Sequence, residues 1–482
     1  MLASRPREYR VTGGATEGRG PAVAAALAAG AAVLLAWALG ISAGLLVPTA
    51  LGMVTVATAL ALAAAWLAPA DGRPAADRVA RAVRWVGLLA SLVAAAVYLP
   101  GVMVQPARLG AFRPLLGATA LVLATWAFPR VPPVVARLRF PVLVALATAL
   151  GAVVILASPS PGIDVWTMQE QGARALRAGR NPYTELYRNI YGPGTAHLDP
   201  ALLTPDGRFI RAFPYTPLVL LLDAVSAGLG DVRWGMLAAT AAAAILIRAL
   251  GRGGRTAELA GALLLLQPQG FMVLELAWTE PVALATVLLA AWAVARTTGT
   301  GSRSGEVAGW RAWLVPGLAA ALAASSKQYV PLVLLPLLVA LPRHARVRAL
   351  AVAVGGAAVV LVPFLAWDPA AFVRGVIEFQ VIQPFRGDSL AWPAAIVSWG
   401  GPQLPSWPAF LVAGGALAVL LRRTATVAQA VLVGASAWLL LVLLNKQAFC
   451  NYYWLSVGLL CAAAALLLRP APAAEGAPAP RR

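Results

Sequence analysis

Cysteine and histidine are scarce in this chain of 482 residues. The two cysteines, Cys450 and Cys461, are too few for a disulfide framework, and on one helix they would lie roughly 16 Å apart, well beyond bridging distance. The two histidines, His197 and His344, fall in separate loops. A metal site of clustered Cys and His side chains is therefore excluded, and we expect both cysteines to be ordinary apolar residues.

Charge is scarce as well, and lysine above all. Charged residues make up 12% of the chain and hydrophobic residues 60%, with a mean hydropathy of +0.77. Soluble domains do not have this composition. The net charge of +19 does not indicate nucleic-acid binding, because membrane proteins carry excess arginine in their cytoplasmic loops and no basic and aromatic residues interleave on a soluble domain. The composition predicts an all-α polytopic membrane protein.

Apolar stretches of the length needed to cross about 30 Å of hydrocarbon recur along almost the whole chain. The first begins near Ala22, is too long for a signal peptide and is soon followed by another, so we interpret it as a retained span. We predict about 12–14 transmembrane helices. The stretches are 22–45, 49–69, 85–104, 114–129, 140–157, 232–249, 257–275, 278–296, 312–326, 328–341, 347–366, 407–421, 427–444 and 451–468.

The arginines predict on which side of the membrane each loop lies. When the N-terminus is placed in the cytoplasm, every short inside loop is rich in arginine, as the positive-inside rule requires. The apolar run 213–229 must then not span, because counting it would place GRGGR, PRHARVR and LLRR outside. We expect a helix that lies in, or re-enters, the outer interface. The protein is thus predicted to be a multi-pass plasma-membrane protein with both termini in the cytoplasm.

The chain divides into three predicted parts. Residues 1–130 hold four apolar spans without intramembrane charge, which suggests an N-terminal accessory bundle. Residues 131–468 form a second membrane module with two long outer loops, 158–231 and 367–406. Residues 469–482 are rich in proline and alanine, which predicts a disordered cytoplasmic tail.

The unusual polar residues reach the outer face in this topology. Asp164 follows a span closely, Glu280 starts a helix in AWTEP, and Lys327 and Lys446, the only lysines of the chain, each precede a glutamine at an outer helix end. Each residue taken singly also fits a plainer role, as a helix cap or a snorkelling anchor. Carboxylates and lysines at membrane depth are costly, however, so their convergence indicates function. A lysine ammonium there suits a phosphate or a carboxylate.

The long outer loop adds a basic segment. QEQGARALRAG reads as a short amphipathic helix whose polar face carries Arg174, Arg177 and Arg180, and Arg188 and Arg211 follow further along the loop. Such a patch suits either the anionic lipids of the interface or a lipid-linked phosphate.

The order of these features resembles the GT-C superfamily of membrane glycosyltransferases, and most of all its members that use polyprenol-phosphate sugars, including mannosyltransferases. The features are a span, an outer aspartate in GIDVW, an interfacial helix, GRNPY, and FPYTPL at the start of a re-entrant helix, within residues 140–468. The resemblance implies a GT-C-like fold. It also implies inverting transfer of a sugar, most commonly mannose, from a polyprenyl phosphate to a cell-envelope lipid or glycan acceptor on the extracytoplasmic face.

The resemblance further implies roles for particular residues. An aspartate in the first large outer loop is the family's catalytic base, and Asp164 matches it; Glu280 would be a second carboxylate that binds sugar hydroxyls or orients a lysine. The residues expected to bind the donor phosphate are Lys327, Lys446, Arg180, Arg188 and Arg211. Those expected to contact the sugar or the lipid are Trp166, Asn181, Tyr183, Tyr215, Gln328, Gln447, Asn451 and Tyr452.

No cofactor is expected, because members of this superfamily that use phosphate-sugar donors generally act without a metal, although a divalent cation on Asp164 and Glu280 stays open. The expected partners are the lipid-linked donor, the acceptor and membrane lipids, without nucleic acid. The alternative function is a lipid or small-molecule transporter or flippase, which would show inverted repeats and charges near the bilayer centre. A non-catalytic scaffold is a third possibility, in which Asp164 tolerates asparagine. The sugar, the acceptor, the role of the first four spans and the oligomeric state stay open.

Overall fold

The computed structural model describes residues 19–69, 77–96, 101–298 and 309–470. The predicted tail lies almost wholly outside these residues. The described helices are α1 (Arg19–Ser42), α2 (Pro48–Leu67), α3 (Asp77–Ala96), α4 (Phe112–Ala124), α5 (Pro133–Ala157), α6 (Asp164–Arg177), α7 (Pro217–Ala227), α8 (Arg233–Leu250), α9 (Arg255–Leu266), α10 (Gly270–Glu275), α11 (Glu280–Thr298), α12 (Arg311–Ala324), α13 (Val330–Val339), α14 (Arg343–Trp367), α15 (Pro369–Val373), α16 (Phe379–Ile382), α17 (Trp392–Ser398), α18 (Trp407–Leu421), α19 (Val427–Leu443) and α20 (Cys450–Leu467). Two short strands, β1 (Tyr187–Arg188) and β2 (Phe209–Ile210), pair antiparallel.

The architecture is that of a polytopic helical membrane protein. Within the described residues, seven helices are long and apolar enough to cross a membrane: α1, α2, α5, α8, α11, α14 and α20. Six shorter apolar helices of 10–17 residues accompany them: α4, α7, α12, α13, α18 and α19. The total of about 12–14 spans therefore stays a prediction.

The apolar run 213–229 contains a helix of only 11 residues, α7. At the usual rise it is about 16 Å long, roughly half of what the hydrocarbon core requires. Pro217 occupies its first position, where the missing N–H would have no partner in the helix anyway. That this run does not cross the membrane stays a prediction.

The predicted span 257–275 is interrupted. α9 ends at Leu266 and α10 begins at Gly270, because Pro268 cannot continue the helical hydrogen bonding and drives Gln267 into an extended conformation. Ala277 then has a φ of 55° just before α11. Its carbonyl accepts a 2.7 Å hydrogen bond from the amide Nε2 of Gln169 on α6. The break thus brings the start of α11 next to α6.

The first two helices pack into the same core as the C-terminal helices. α1 lies along α2 and α20, and α2 also contacts α19. Gly44, with a φ of 82°, approaches so closely that a Cβ there would lie 2.2 Å from the backbone nitrogen of Cys450. The backbone N–H of Leu46 donates a 2.8 Å hydrogen bond to the carbonyl of Asp388. The α1–α2 connection is therefore held against the segments that precede α17 and begin α20.

A buried polar network fastens the helices beneath the long loop. Arg233, at the start of α8, is completely buried, and its guanidinium pairs with Asp231 at 2.6 Å. It also donates to Ser158 Oγ and to the carbonyl oxygens of Ile155, Ser158 and Glu275. The carboxylate of Glu275 accepts from the backbone N–H groups of residues 102 and 103, at 2.7 and 2.8 Å. α5, α8, α10 and the connection before α4 are thereby tied together.

Candidate functional site

A cavity of about 420 Å³ opens at the end of the bundle where α6 begins; we call it the Asp164 cavity. Its walls come from the start of α6, the loop before α7, the α10–α11 break, the α12–α13 turn, the segment after α16 and the start of α20. It gathers residues that are far apart in the sequence. The predicted site residues that line it are Asp164, Tyr215, Lys327, Gln447, Asn451 and Tyr452.

Asp164 is the first residue of α6, and its carboxylate is held in place. Oδ1 accepts a 2.9 Å hydrogen bond from the hydroxyl of Tyr191 and another of 2.9 Å from the backbone N–H of Val165. The Tyr191 ring packs on His197 with a centroid distance of 4.8 Å. Burial at the cavity wall raises the pKa of Asp164, and the Tyr191 hydroxyl, the backbone and His197 oppose that rise. The result is an oriented carboxylate that binds a proton more strongly than a free one, as a general base requires.

Glu280 anchors a second polar cluster. It begins α11 and is completely buried, and its Oε1 accepts hydrogen bonds from Lys327 Nζ and, at 2.9 Å, from the hydroxyl of Tyr329. Lys327 Nζ also lies 5.4 Å from the ring centroid of Tyr329 and 5.9 Å from that of Tyr452. Trp438 stacks on Tyr329 at 4.0 Å. Glu280 and the aromatic rings therefore fix the lysine at the wall of the cavity.

A second cavity of about 280 Å³, the Lys446 cavity, adjoins the first. Lys446 lines it, with its Nζ donating a 2.7 Å hydrogen bond to the carbonyl of Val381. Phe410 of α18 also lines it, and 58% of this side chain is exposed on the apolar surface of the bundle. Four residues line both cavities: Lys327, Gln380, Gln447 and Tyr452. The two spaces therefore lead from the carboxylate of Asp164 towards an exposed apolar helix.

The glutamines that follow the two lysines hold the walls together. Gln328 Nε2 donates to the carbonyls of Pro214 and Val376, at 2.8 and 3.0 Å. Gln447 Nε2 donates to the carbonyl of Pro384 at 2.8 Å. Each Lys-Gln pair thus places its lysine at a cavity and uses its glutamine to fix a neighbouring loop.

Other predicted residues line neither cavity. Arg180 pairs with Glu185 at 2.7 Å on the surface, and Arg188 and Arg211 are exposed. The predicted phosphate-binding patch of loop arginines is therefore not assembled at the two cavities in this structure. Trp166 is partly buried and also lies outside their walls.

Asn181 and Tyr183 support the fold of the loop. Asn181 Oδ1 accepts a 3.0 Å hydrogen bond from the backbone N–H of Tyr183 and so caps the turn that follows it. Tyr183 is completely buried, and its hydroxyl donates a 2.7 Å hydrogen bond to the carbonyl of Tyr215. Its ring packs against Phe213 and Phe372. Tyr183 is therefore packed inside the loop, and its hydroxyl is already hydrogen-bonded there.

Four residues of the site lie outside the set that the sequence predicts: Tyr191, His197, Tyr329 and Arg386. Arg386, from the second long loop, lines the Asp164 cavity, pairs with Asp388 at 2.6 Å and packs over Phe449 at 4.8 Å. Tyr329 could have been found, because it follows Lys327 by two residues. No comparable signal marks the other three, which stand in loops whose path the sequence pattern does not predict.

The site therefore combines an oriented carboxylate, lysine and arginine cations, and aromatic rings around one space. Within the part of the chain that the structure describes, no three His, Cys, Asp or Glu side chains gather as a metal site; independence of a metal stays a prediction. Comparisons with protein-family models, with curated proteins and with solved structures find no match.

Proposed function

We propose that this protein is a glycosyltransferase that moves a sugar from a polyprenyl phosphate to a hydroxyl group of a cell-envelope lipid or glycan at the extracytoplasmic face. One observation carries the proposal: Asp164 and Lys327 face the same cavity of about 420 Å³. Substitution at a sugar with a phosphate leaving group needs a base for the attacking hydroxyl and a cation for the departing phosphate. The carboxylate of Asp164 and the ammonium group of Lys327 suit these two roles, which supports the proposal.

In the proposed reaction, the acceptor hydroxyl lies against the carboxylate of Asp164 and gives up its proton as its oxygen attacks the anomeric carbon. The bond between that carbon and the phosphate oxygen breaks, and the phosphate leaves with the electron pair. Lys327 and Lys446 offset the negative charge that develops on the phosphate. A single displacement inverts the anomeric configuration. The raised pKa of Asp164 favours its role as base, because a stronger base takes the proton more readily.

The Lys446 cavity supports a lipid-linked donor over a soluble one. It joins the Asp164 cavity at Lys327 and reaches Phe410 of α18. Trp407 and Leu411 on the same helix are also exposed and apolar. A phosphate between the two lysines would therefore leave an attached polyprenyl chain next to an apolar surface, where burial of each methylene group contributes about 0.8 kcal/mol.

The test uses the purified full-length protein in nanodiscs, incubated with polyprenyl-phosphate mannose, glucose or arabinose and with an envelope lipid extract as acceptor. Release of polyprenyl phosphate is measured for the wild type, for Asp164→Asn and for the matched control Asp206→Asn, an exposed aspartate of the same loop. We expect release from one donor, a decrease of about 10²- to 10⁴-fold in Asp164→Asn, and little change in the control.

Full activity of a folded Asp164→Asn protein would contradict the role of Asp164 as base. Absence of release from every donor would contradict the proposed function and would favour the transporter alternative. Counterflow of labelled lipid or solute in proteoliposomes then tests that alternative directly.

A further inference from the structure

Three residues from the first 130 of the chain line the Asp164 cavity: Ala43, Leu45 and Val102. None of them lines the Lys446 cavity. Leu45 is 46% exposed and Val102 is 64% exposed, so both side chains lie where the cavity meets the outer surface of the protein. We call Leu45 and Val102 the apolar edge. The N-terminal part of the chain therefore contributes an apolar edge to the mouth of the Asp164 cavity.

Leu45 is held in position by backbone contacts on both of its sides. Its own N–H donates a 2.9 Å hydrogen bond to the carbonyl of Ser42, and the N–H of Leu46 donates one of 2.8 Å to the carbonyl of Asp388. Leu45 also forms an isolated antiparallel bridge with Ser389 of the second long loop. The exposed position of its side chain is therefore built into the connection between α1 and α2.

Val102 is held in position by a buried carboxylate. Glu275 is completely buried and accepts hydrogen bonds from the backbone N–H groups of Val102 and Met103, at 2.7 and 2.8 Å. The Sδ atom of Met103 accepts a 3.0 Å hydrogen bond from the N–H of Gly162, two residues before Asp164. This segment is therefore fixed beside the start of α6, with the side chain of Val102 at the surface.

The apolar edge lies on the acceptor side of the proposed reaction. A single displacement with inversion requires the attacking hydroxyl to approach the sugar from the face opposite the leaving group. The two lysines proposed to meet the phosphate both line the Lys446 cavity, whereas Asp164 does not. We therefore expect the acceptor to enter along walls that belong to the Asp164 cavity alone, and Leu45 and Val102 belong to these walls.

Polar side chains share these walls with the apolar edge. Tyr191, His197 and Arg386 line the Asp164 cavity and do not line the Lys446 cavity. Their hydroxyl, imidazole and guanidinium groups can form hydrogen bonds with a hydroxylated headgroup. Leu45 and Val102 offer only apolar surface, which favours an acyl chain because burial removes that chain from water. A water-soluble glycan gains nothing from this surface, so the combination fits an amphipathic acceptor.

We propose that the acceptor is a membrane lipid with a hydroxylated headgroup, whose acyl chain lies against Leu45 and Val102 and whose hydroxyl lies at Asp164. This inference rests on the proposed glycosyl transfer and narrows its acceptor to a lipid. It also gives the N-terminal part of the chain a role, because that part supplies the surface along which the acceptor enters. The donor lipid passes Phe410 of α18, and the acceptor lipid passes the apolar edge.

A comparison of acceptors tests the class of substrate, with the purified full-length protein in detergent and a polyprenyl-phosphate donor that carries a radiolabelled sugar. The acceptors are an envelope lipid extract, the same extract after mild alkaline deacylation, and the aqueous glycan fraction of the envelope. Deacylation keeps the headgroups and removes the acyl chains. We expect label in the intact lipids alone. Equal transfer to the deacylated headgroups or to the glycans would overturn the lipid acceptor while still supporting the proposed function.

Substitutions at the apolar edge test the route of entry. Leu45→Asn together with Val102→Asn should raise the apparent KM for the lipid extract about tenfold, and should change the KM for the donor less than about twofold. The matched control is Leu121→Asn together with Val225→Asn, because these residues are 74% and 69% exposed and line neither cavity. An unchanged acceptor KM in the first variant, or an equal rise in both, would overturn the route.

Cysteine labelling tests acceptor binding without turnover. Cys450 and Cys461 are buried, so a water-soluble maleimide should label the new thiol of Val102→Cys. The intact lipid extract, at about four times its apparent Kd, should slow this labelling about fivefold, and the deacylated extract should not. Asp206→Cys is the exposed control, which neither extract should protect. Protection without sugar transfer would support the lipid site and contradict the proposed function, whereas absence of protection would overturn the lipid site even where transfer occurs.

Discussion

The hydroxyl of Tyr191 donates a 2.9 Å hydrogen bond to Oδ1 of Asp164, across 27 residues of sequence. Asp164 starts α6, whereas Tyr191 lies in the loop between α6 and α7. The contact closes this loop over one end of the Asp164 cavity and orients the carboxylate. It also counteracts the rise in the pKa of Asp164 that burial causes. Tyr191 is therefore a positioning residue for the proposed base.

Substitution of Tyr191 by phenylalanine should move the pH dependence of polyprenyl phosphate release. Loss of the hydrogen bond removes an interaction that favours the ionised carboxyl group, so the pKa of Asp164 rises further. Because the base acts when deprotonated, the limb where activity increases with pH should shift to higher pH. Tyr453→Phe is the control, since its hydroxyl bonds the carbonyl of Leu390 and not Asp164. A rate–pH profile unchanged from the wild type would contradict the role of Tyr191.

Removal of one partner of the Glu280–Lys327 pair should destabilise the protein more than removal of both. Glu280 is completely buried, so Lys327→Met leaves a carboxylate without its cation, at a cost of about 3–5 kcal/mol. The double variant Glu280→Gln with Lys327→Met leaves no unpaired charge and should recover much of the loss. Thermal unfolding of the four proteins of the double-mutant cycle measures this. Arg180→Ala, which removes an exposed pair with Glu185, should cost less than about 1 kcal/mol. Additive single effects would contradict the coupling.

Arg233→Met should strongly lower the stability of the protein, although Arg233 lines neither the Asp164 cavity nor the Lys446 cavity. The substitution removes the guanidinium that pairs with Asp231 and donates to the carbonyls of Ile155 and Ser158, and about 3–5 kcal/mol is expected for loss of such a buried partner. Arg296→Met is the matched control, because Arg296 is exposed at the end of α11 and should change stability by less than about 0.5 kcal/mol. Thermal unfolding in detergent compares the two, and equal melting temperatures would contradict the structural role of Arg233.

Gly44→Ala should disturb the packing of the α1–α2 connection on α20. The added Cβ would lie 2.2 Å from the backbone nitrogen of Cys450, at a residue with a φ of 82°. The backbone must move to accommodate the added Cβ, so we expect a lower melting temperature. We also expect slower release of polyprenyl phosphate, since Ala43 and Leu45 line the Asp164 cavity. Gly52→Ala on α2 is the control, because its Cβ would meet no atom within 4 Å. Wild-type stability of Gly44→Ala would show that this contact does not hold the two regions together.

Much of the helical framework follows from the sequence, because apolar length determines which segments can lie in a membrane. The predicted stretches correspond to α1, α2, α4, α5, α8 and the later apolar helices, with ends shifted by several residues. The stretch 257–275 departs from the pattern, since hydropathy does not register the break that Pro268 causes. The sequence also predicts that Asp164 and Lys327 lie near each other, because both stand at the outer ends of predicted spans and therefore on the same side of the membrane.

The loop residues could not be assigned from the sequence. Their charge predicts that Arg180, Arg188 and Arg211 bind a phosphate, yet the structure places them outside both cavities. Tyr191 and Arg386, which the pattern did not mark, line the Asp164 cavity instead. Loop conformation depends on contacts between distant segments, and hydropathy carries no information about them.

The sequence by itself determined that this is a helical membrane protein and which charged residues are unusual, because the energy of burying charge in hydrocarbon depends on local composition. Tertiary structure decided which of those residues share a space. It pairs Glu280 with Lys327, hydrogen-bonds Tyr191 to Asp164 and packs the first two helices against α19 and α20. These relationships arise from side-chain packing over long sequence separations, which only the folded chain can bring together.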